Sequence, residues 1–136
     1  MGKGALTKNA VVDRALALST QVGLEGLSIG KLAADLKLSK SGLFAHFQSK
    51  EALEIAVVER AAERFADLVV FPAIAAPFGV ARLEALFAHW SRWPELAELP
   101  GGCFFIAAAA ELDDREGPVR EELADQLREL GRTIER

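Results

Sequence analysis

Residues 28–50 read SIGKLAADLKLSKSGLFAHFQSK and contain two short helical patterns separated by a brief interruption. In the first pattern Ser28 stands in the N-cap position, and apolar residues follow at helical spacing: Ile29, Leu32, Ala33 and Leu36. Ser39 is the N-cap candidate of the second pattern, in which Leu43 and Phe47 lie four residues apart on one face. The stretch therefore predicts a helix-turn-helix.

The second helix of this pair carries small residues on the side opposite Leu43. That side holds Ser41, Gly42 and Ala45, so the backbone can approach another surface closely. Such a face suits the DNA major groove, which is about 12 Å wide and in which serine can bond base edges. With the flanking groups that could meet phosphates, the candidate DNA-binding residues are Ser28, Lys31, Lys37, Ser39, Lys40, Ser41, Gly42, Phe44, Ala45, His46 and Lys50.

Alternatives remain for this segment. Paired short helices occur in many domains that bind no nucleic acid, and a small-residue face also suits packing on another helix. Lys31, Lys37 and Lys40 are each as compatible with a solvated surface as with phosphate. His46 lies beside the outward face, which favours a contact, although a histidine packed within the fold also fits the position.

A further helix is predicted to begin after Ser49, a third N-cap candidate. Lys50 in its first turn is unfavourably placed, because the helix dipole favours acidic residues there. A phosphate close to Lys50 would account for this placement.

Residues 10–68 resemble the DNA-binding domain of the TetR/AcrR family of bacterial transcriptional regulators. The resemblance is carried by LSKSGLFAHF at 38–47 and SKEAL at 49–53. The family commonly has tyrosine where this chain has Phe44, so a hydroxyl contact to phosphate is lost there. It commonly has glycine where this chain has Lys37, and a left-handed turn at Lys37 would carry strain.

Charge is divided unevenly along the chain, whose formal net charge is −4. Residues 1–50 hold seven Lys/Arg and three Asp/Glu, whereas residues 51–136 hold nine and seventeen. Because the basic part contains the helix-turn-helix and the acidic part would be repelled by DNA, this distribution favours docking through one surface. Chance fluctuation would also produce counts of this size.

Length and composition indicate a folded protein, since 136 residues with 51% hydrophobic content suffice for a core. No run approaches the roughly 18 apolar residues of a membrane span, and MGKGALTKNA at the N-terminus lacks the apolar core of a signal peptide. A single cysteine fits a reducing compartment. We therefore expect a cytoplasmic protein without membrane association.

The remaining sequence predicts helices almost throughout. A first helix covers about 8–22 and is stopped by Gly23, and the fourth helix ends where Pro72 forbids continuation, before a linker at 72–79. Further helices are predicted at 80–93, at 103–112 and from 118 to Arg136. The predicted segments are a DNA-binding domain at 1–50 with its helix-turn-helix at about 28–47, a connecting helix at 51–71, and a partial C-terminal helical regulatory domain at 72–136.

Large aromatic side chains are concentrated in the second half. They could line an apolar pocket for a small ligand, and the resemblance implies an inducer in a C-terminal helical bundle. Aromatic residues at helical spacing equally form an ordinary core. The pocket candidates are Phe87, Trp90, Trp93, Cys103 and Phe104, and the polar neighbours that could orient a ligand or simply face water are His89, Ser91 and Arg92.

Other chemistry has little support. Cys103 follows two glycines at a helix start, where a thiolate is stabilised, but a small buried apolar residue fits as well. One cysteine and two distant histidines form no metal-binding spacing. The carboxylates of Glu111, Asp113, Asp114 and Glu116 fit a solvated or capping helix end rather than an acid/base pair. We predict no enzyme and no cofactor.

The predicted fold is all-α: a three-helix DNA-binding domain with a helix-turn-helix, joined by a long fourth helix to a C-terminal helical ligand-binding and dimerisation bundle. The resemblance implies a repressor that acts as a homodimer on a palindromic double-stranded DNA operator. A small-molecule effector of unknown identity would shift the fourth helix and release the DNA. A second hypothesis is a module that binds a protein partner through the helix-turn-helix, and a third is a redox enzyme based on Cys103.

The C-terminal bundle is incomplete relative to the family, whose members usually carry two further helices that form the dimer interface. We therefore expect either a fragment or dimerisation through the apolar stripe from Val119 to Ile134.

Overall fold

The computed structural model describes the backbone of residues 3–135 and the side chains of residues 8–135. Within residues 3–135 the elements are helical and no strand occurs, which confirms the predicted all-α class. The helices are α1 (Lys3–Val22), α2 (Ile29–Asp35), α3 (Lys40–His46), α4 (Lys50–Phe65), α5 (Phe71–Ile74), α6 (Val80–Arg92), α7 (Phe104–Glu111) and α8 (Pro118–Glu135). Residues 1 and 2 of the predicted first segment, and Arg136, lie outside the described residues.

Three serine caps fix where the short helices begin. The Oγ of Ser28 accepts a hydrogen bond from the backbone N–H of Lys31 at 3.3 Å. Ser39 accepts from the N–H of Gly42 at 3.0 Å, and Ser49 starts α4 in the same way. Each cap satisfies a backbone donor that the first turn leaves without a partner. All three predicted N-caps are confirmed.

The turn between α2 and α3 is left-handed at Lys37, which is the case in which the family's glycine at this position implied strain. Lys37 has a φ of +57°, its N–H donates to the carbonyl of Ala34, and the N–H of Leu38 donates to the carbonyl of Ala33. This is a Schellman termination, which normally places glycine at the left-handed position. The side chain of Lys37 therefore makes this turn strained.

α4 packs against α1 and α8 and joins the two halves of the chain. Its buried residues occupy more than one face; they are Leu53, Glu54, Val57, Val58, Ala61, Ala62 and Phe65. On the α1 side they meet a buried row of Val11, Val12, Ala15 and Leu16. One continuous core thus runs through both halves.

The prediction that Pro72 ends the fourth helix is wrong. A π-helical segment, Ala66–Val70, leads from α4 directly into α5, and the N–H of Phe71 donates to the carbonyl of Ala66. In an α-helix the proline ring would collide with the carbonyl four residues earlier, and the wider π turn relieves this conflict. The predicted linker at 72–79 is therefore helical as far as Ile74.

The apolar stripe of α8 faces the core instead of forming an exposed dimer surface. Val119 and Leu123 are buried, and Leu130 and Ile134 are half-buried. Leu127 alone in this stripe is largely exposed, at 40%. Because α8 packs along α4, dimerisation through an exposed stripe from Val119 to Ile134 is contradicted.

Replacing Lys37 with glycine is expected to raise the free energy of unfolding by about 1 kcal/mol, because glycine adopts a positive φ without a Cβ clash. Urea denaturation measures this change. Lys37→Ala removes the same charge but keeps the Cβ, so it should give no such gain. An equal gain from both variants would contradict backbone strain at Lys37.

Replacing Ser39 with alanine is expected to lower the free energy of unfolding by about 1 kcal/mol, because the N–H of Gly42 loses its partner. Urea denaturation again provides the measurement. Ser41→Ala is the comparison: it removes the hydroxyl that bonds to the Ser39 Oγ at 3.2 Å but leaves the cap bond from Gly42, so it should lower stability less. A Ser39→Ala variant as stable as Ser41→Ala would show that the cap contributes nothing.

Candidate nucleic-acid interface

α3 is two-sided, as the sequence predicted. Leu43 and the following Phe47 are buried in the core, and they hold the helix in place. The opposite side is solvent-exposed and consists of Ser41, Gly42 and Ala45. We call these three residues the small-residue face. It can approach a surface closely because no long side chain stands in front of the backbone.

Phe44 borders this face and is 45% exposed, so part of an aromatic ring lies on the surface of α3. The exposed part of the ring offers an apolar contact to whatever meets the helix. The ring has no hydroxyl with which to bond a phosphate.

Three lysines of the helix-turn-helix are exposed, one each from α2, the turn and α3. They are Lys31, Lys37 and Lys40. The stem of Lys40 lies across the start of α2, because a Cβ at Gly30 would stand only 3.0 Å from its Cε and 3.5 Å from its Nζ. The glycine therefore leaves room for a cation beside the half-buried Ser28.

Two of the predicted DNA contacts are engaged inside the protein. His46 is half-buried and packs edge-on against Phe47, with ring centroids 6.3 Å apart. It also lines an open cavity of about 500 Å³ between α1, α3 and α4, so part of its ring stays accessible. Lys50 donates from Nζ to the carbonyl of Glu25 at 2.5 Å, so this carbonyl accounts for its placement without a phosphate.

Glu111, at the end of α7, binds the turn that precedes α2. Its two carboxylate oxygens accept hydrogen bonds from the backbone N–H groups of Leu24, at 2.8 Å, and Glu25, at 2.7 Å. The sequence indicated a capping or solvated carboxylate here, but these partners lie more than eighty residues away in the chain. Nothing in the local pattern could have identified them.

Arg115 forms a second long-range contact. Its Nη2 donates to both carboxylate oxygens of Glu54, at 2.9 and 3.0 Å. Glu54 is 2% exposed, so this guanidinium compensates a carboxylate inside the α4 core. The hydrogen bond to Glu54 raises the pKa of Arg115 most, burial opposes it, and the charges of Glu54, Glu25 and Glu111 raise it further.

The five effector-pocket candidates separate into two groups. Trp93 and Phe104 are buried in an aromatic cluster with Phe65 and Phe105, and the rings of Phe65 and Trp93 are 5.1 Å apart. The buried indole nitrogen of Trp93 has no hydrogen-bond partner among the described residues. Cys103 is half-buried at the N-cap of α7.

The other two candidates lie on the outer side of α6. Phe87 is 77% exposed and Trp90 is 46% exposed. With Leu83, Leu86 and Ser91 they line an apolar groove of about 360 Å³, which we call the α6 groove. The rings of Trp90 and Phe65 are 5.2 Å apart, so the groove is in contact with α4.

Neither a metal site nor a membrane span is found in the part of the chain that the structure describes. Among the described residues, no three or more His, Cys, Asp or Glu side chains are grouped so as to hold a metal ion. No described helix has both the length and the apolar content that crossing a membrane requires.

Two solved structures resemble the chain. One is a TetR transcriptional regulator from Chloroflexus aurantiacus J-10-FL, which is 31% identical with a TM-score of 0.78; the match covers 95% of this chain and 65% of that one. The other is AibR in complex with isovaleryl coenzyme A and operator DNA, at 24% identity and a TM-score of 0.73, covering 90% and 64%. The chain thus spans slightly less than two thirds of each. No curated protein sequence matches it.

Both halves of the chain also match family models. Residues 11–57 match the model described as "Bacterial regulatory proteins, tetR family", and residues 79–136 match "Tetracyclin repressor-like, C-terminal domain". The first match contains α2 and α3, the three serine caps and parts of α1 and α4, and the second contains α6, α7 and α8. The chain belongs to the TetR family of DNA-binding transcriptional regulators.

Proposed function

We propose that this regulator is a ligand-responsive repressor that binds a palindromic operator as a homodimer. The exposed small-residue face of α3, held outward by the buried Leu43 and Phe47, is the observation that carries this proposal. A helix of this kind fits deep in the major groove, where Ser41 can bond base edges and Ala45 can contact a thymine methyl group. The ring of Phe44 adds an apolar contact beside them.

The phosphate contacts are assigned to groups that surround this face. Lys31, Lys37 and Lys40 are exposed cations on the pair, and the hydroxyls of Ser28 and Ser39 lie at the two helix starts. Such contacts fix the register of the protein on the duplex and supply most of the electrostatic affinity. His46 and Lys50 contribute less, because each already has a partner within the protein.

The homodimer follows from the size of the reading element. One α3 of seven residues contacts only a few base pairs, which is too few for useful discrimination in a genome. Two-fold dimers with helix-turn-helix domains place their recognition helices about 34–36 Å apart, one helical turn of DNA. We therefore expect an operator with two-fold symmetry.

The effector site is assigned to the α6 groove. Its lining is almost entirely apolar, and Phe87 and Trp90 could pack against an apolar ligand. A ligand that moves Trp90 would act on Phe65 of α4, because the two rings touch edge to face. AibR was solved with isovaleryl coenzyme A, so a short branched acyl thioester is a reasonable first probe for this groove.

Selection of duplexes from a random pool is expected to enrich a palindrome, and salt titration of binding to that duplex should be steep. Lys40→Gln should weaken binding and reduce the slope of log K against log salt by about 1, as expected for one lost phosphate contact. Arg120→Gln, an equal charge change on the exposed surface of α8, should leave the slope unchanged.

Two results would contradict this assignment. A Lys40→Gln variant with the wild-type slope would remove Lys40 from the phosphate contacts. Failure of the intact chain, also when dimerised artificially, to enrich any duplex would favour a helix-turn-helix that binds a protein partner.

An apolar effector is expected to change the fluorescence of the exposed Trp90 and to lower the affinity for the selected duplex. Isovaleryl coenzyme A, free isovalerate and coenzyme A alone are the probes, the last as the control without an acyl group. Trp90→Phe should remove most of the fluorescence change, because Trp93 does not line the groove and is reached only through Phe65. A ligand that quenches Trp90 but leaves DNA affinity unchanged would contradict the effector role, since coupling requires different affinities in the two states.

A further inference from the structure

The turn between α1 and α2 forms an anion-binding nest for Glu111. Gly23 has a φ of +79°, and the next two backbone N–H groups, those of Leu24 and Glu25, converge on one carboxylate. Successive N–H groups in such a turn create a concave site with positive potential. Charge-assisted hydrogen bonds of this type are shorter and stronger than neutral ones, and the observed distances of 2.8 and 2.7 Å agree with that class.

The lack of a side chain at Gly23 is required by this contact as well as by the backbone. A Cβ at this position would lie 2.9 Å from the Oε1 of Glu111 and 3.3 Å from its Cδ. A side chain at position 23 would therefore push the carboxylate away from the two amides. The positive φ of Gly23 and the close approach of the carboxylate thus both favour glycine at this position.

Two further contacts surround the nest. Gly101 donates its backbone N–H to the Oγ1 of Thr20 at 2.9 Å, and a Cβ at Gly101 would lie only 1.7 Å from the carbonyl oxygen of Thr20. On the other side, Lys50 donates to the carbonyl of Glu25, which ties the same turn to the start of α4. The end of α1 is thus held closely against the segment that leads into α7.

Arg115 holds α4 in the same region through the buried Glu54. Glu111 therefore binds the turn before α2, and Arg115, four residues later, binds α4. At its other end α7 carries Phe105, whose ring lies 5.5 Å from Phe65 and 6.1 Å from Trp93. α7 has eight residues and is about 12 Å long, so it connects the aromatic cluster to the nest directly.

We propose that Glu111 and Arg115 are positioning residues for DNA binding. Glu111 fixes the turn from which α2 and α3 start, and Arg115 fixes α4, so together they set the angle at which the small-residue face is presented. Neither residue contacts DNA in this account. This inference rests on the proposed operator binding. It adds a connection between the C-terminal half and the helix-turn-helix that runs through α7, beside the connection that runs along α4.

The test is Glu111→Gln in the full chain, with the duplex selected by the wild-type protein as the probe. Glutamine has one acceptor oxygen, and its amino group would face a backbone N–H, so one of the two hydrogen bonds is lost. We expect about tenfold weaker operator binding, as one lost charge-assisted hydrogen bond implies, with an unchanged salt slope. Simple removal of a negative charge would have the opposite effect, because it favours binding to a polyanion.

Glu116→Gln is the matched control, since it makes the same charge change at an exposed position five residues along the chain. It should bind the duplex as tightly as the wild type or slightly more tightly. Hydrogen exchange at the amides of Leu24 and Glu25, followed by NMR, should accelerate in Glu111→Gln and remain unchanged in the control. Thermal unfolding is recorded so that binding is compared well below the melting temperature of each variant.

The possible outcomes separate the inference from the proposed function. Faster exchange with wild-type operator affinity would overturn the positioning role, and so would weaker binding with a reduced salt slope. If the wild-type chain selects no duplex, the proposed operator binding is wrong, and so is a positioning role for DNA binding. In that case, unchanged exchange of the Leu24 and Glu25 amides in Glu111→Gln would also overturn the nest. If Glu111→Gln does not fold, Glu111→Asp replaces it: the charge is kept, the shorter side chain withdraws the carboxylate from the two amides, and the same faster exchange and weaker binding are expected.

Discussion

α4 must bury more than one of its faces at once, and the rest of the molecule is arranged around this requirement. α1 covers one side and α8 covers another, so the N-terminal and C-terminal halves share a single packed helix. The buried Glu54 also constrains Arg115, because a carboxylate inside the core is destabilising unless the guanidinium stays beside it. A densely packed core of this kind transmits a shift of one element to its neighbours. The helix-turn-helix therefore cannot be positioned independently of the C-terminal half.

Features of the fold that depend on local chemistry could be predicted from the sequence. The serine caps and the stop at Gly23 each follow from a few adjacent residues, whereas the left-handed Lys37 was suggested only by the glycine that the family has at this position. The path through Pro72 could not be predicted, since it depends on a π turn and on burial of Val70 and Ala73 in the core. The apolar stripe of α8 was evident, but periodicity identifies an apolar face without indicating what covers it.

The same distinction applies to the functional site. The two sides of α3 follow from helical spacing, whereas the partners of Lys50 and Glu111 depend on tertiary contacts. A carboxylate on two amides far away in the sequence leaves no local signal. Aromatic spacing likewise could not separate the exposed Phe87 from the buried Trp93, because both recur at helical intervals.

We infer that α3 meets DNA while the end of α7 holds the turn before α2. Hydrogen–deuterium exchange of the intact chain, with and without the selected duplex, tests it most directly. We expect slower exchange upon DNA binding at residues 39–46 and in the turn at 23–27, with little change along α6. Protection centred on α6, or unchanged exchange in α3 while DNA is bound, would contradict it.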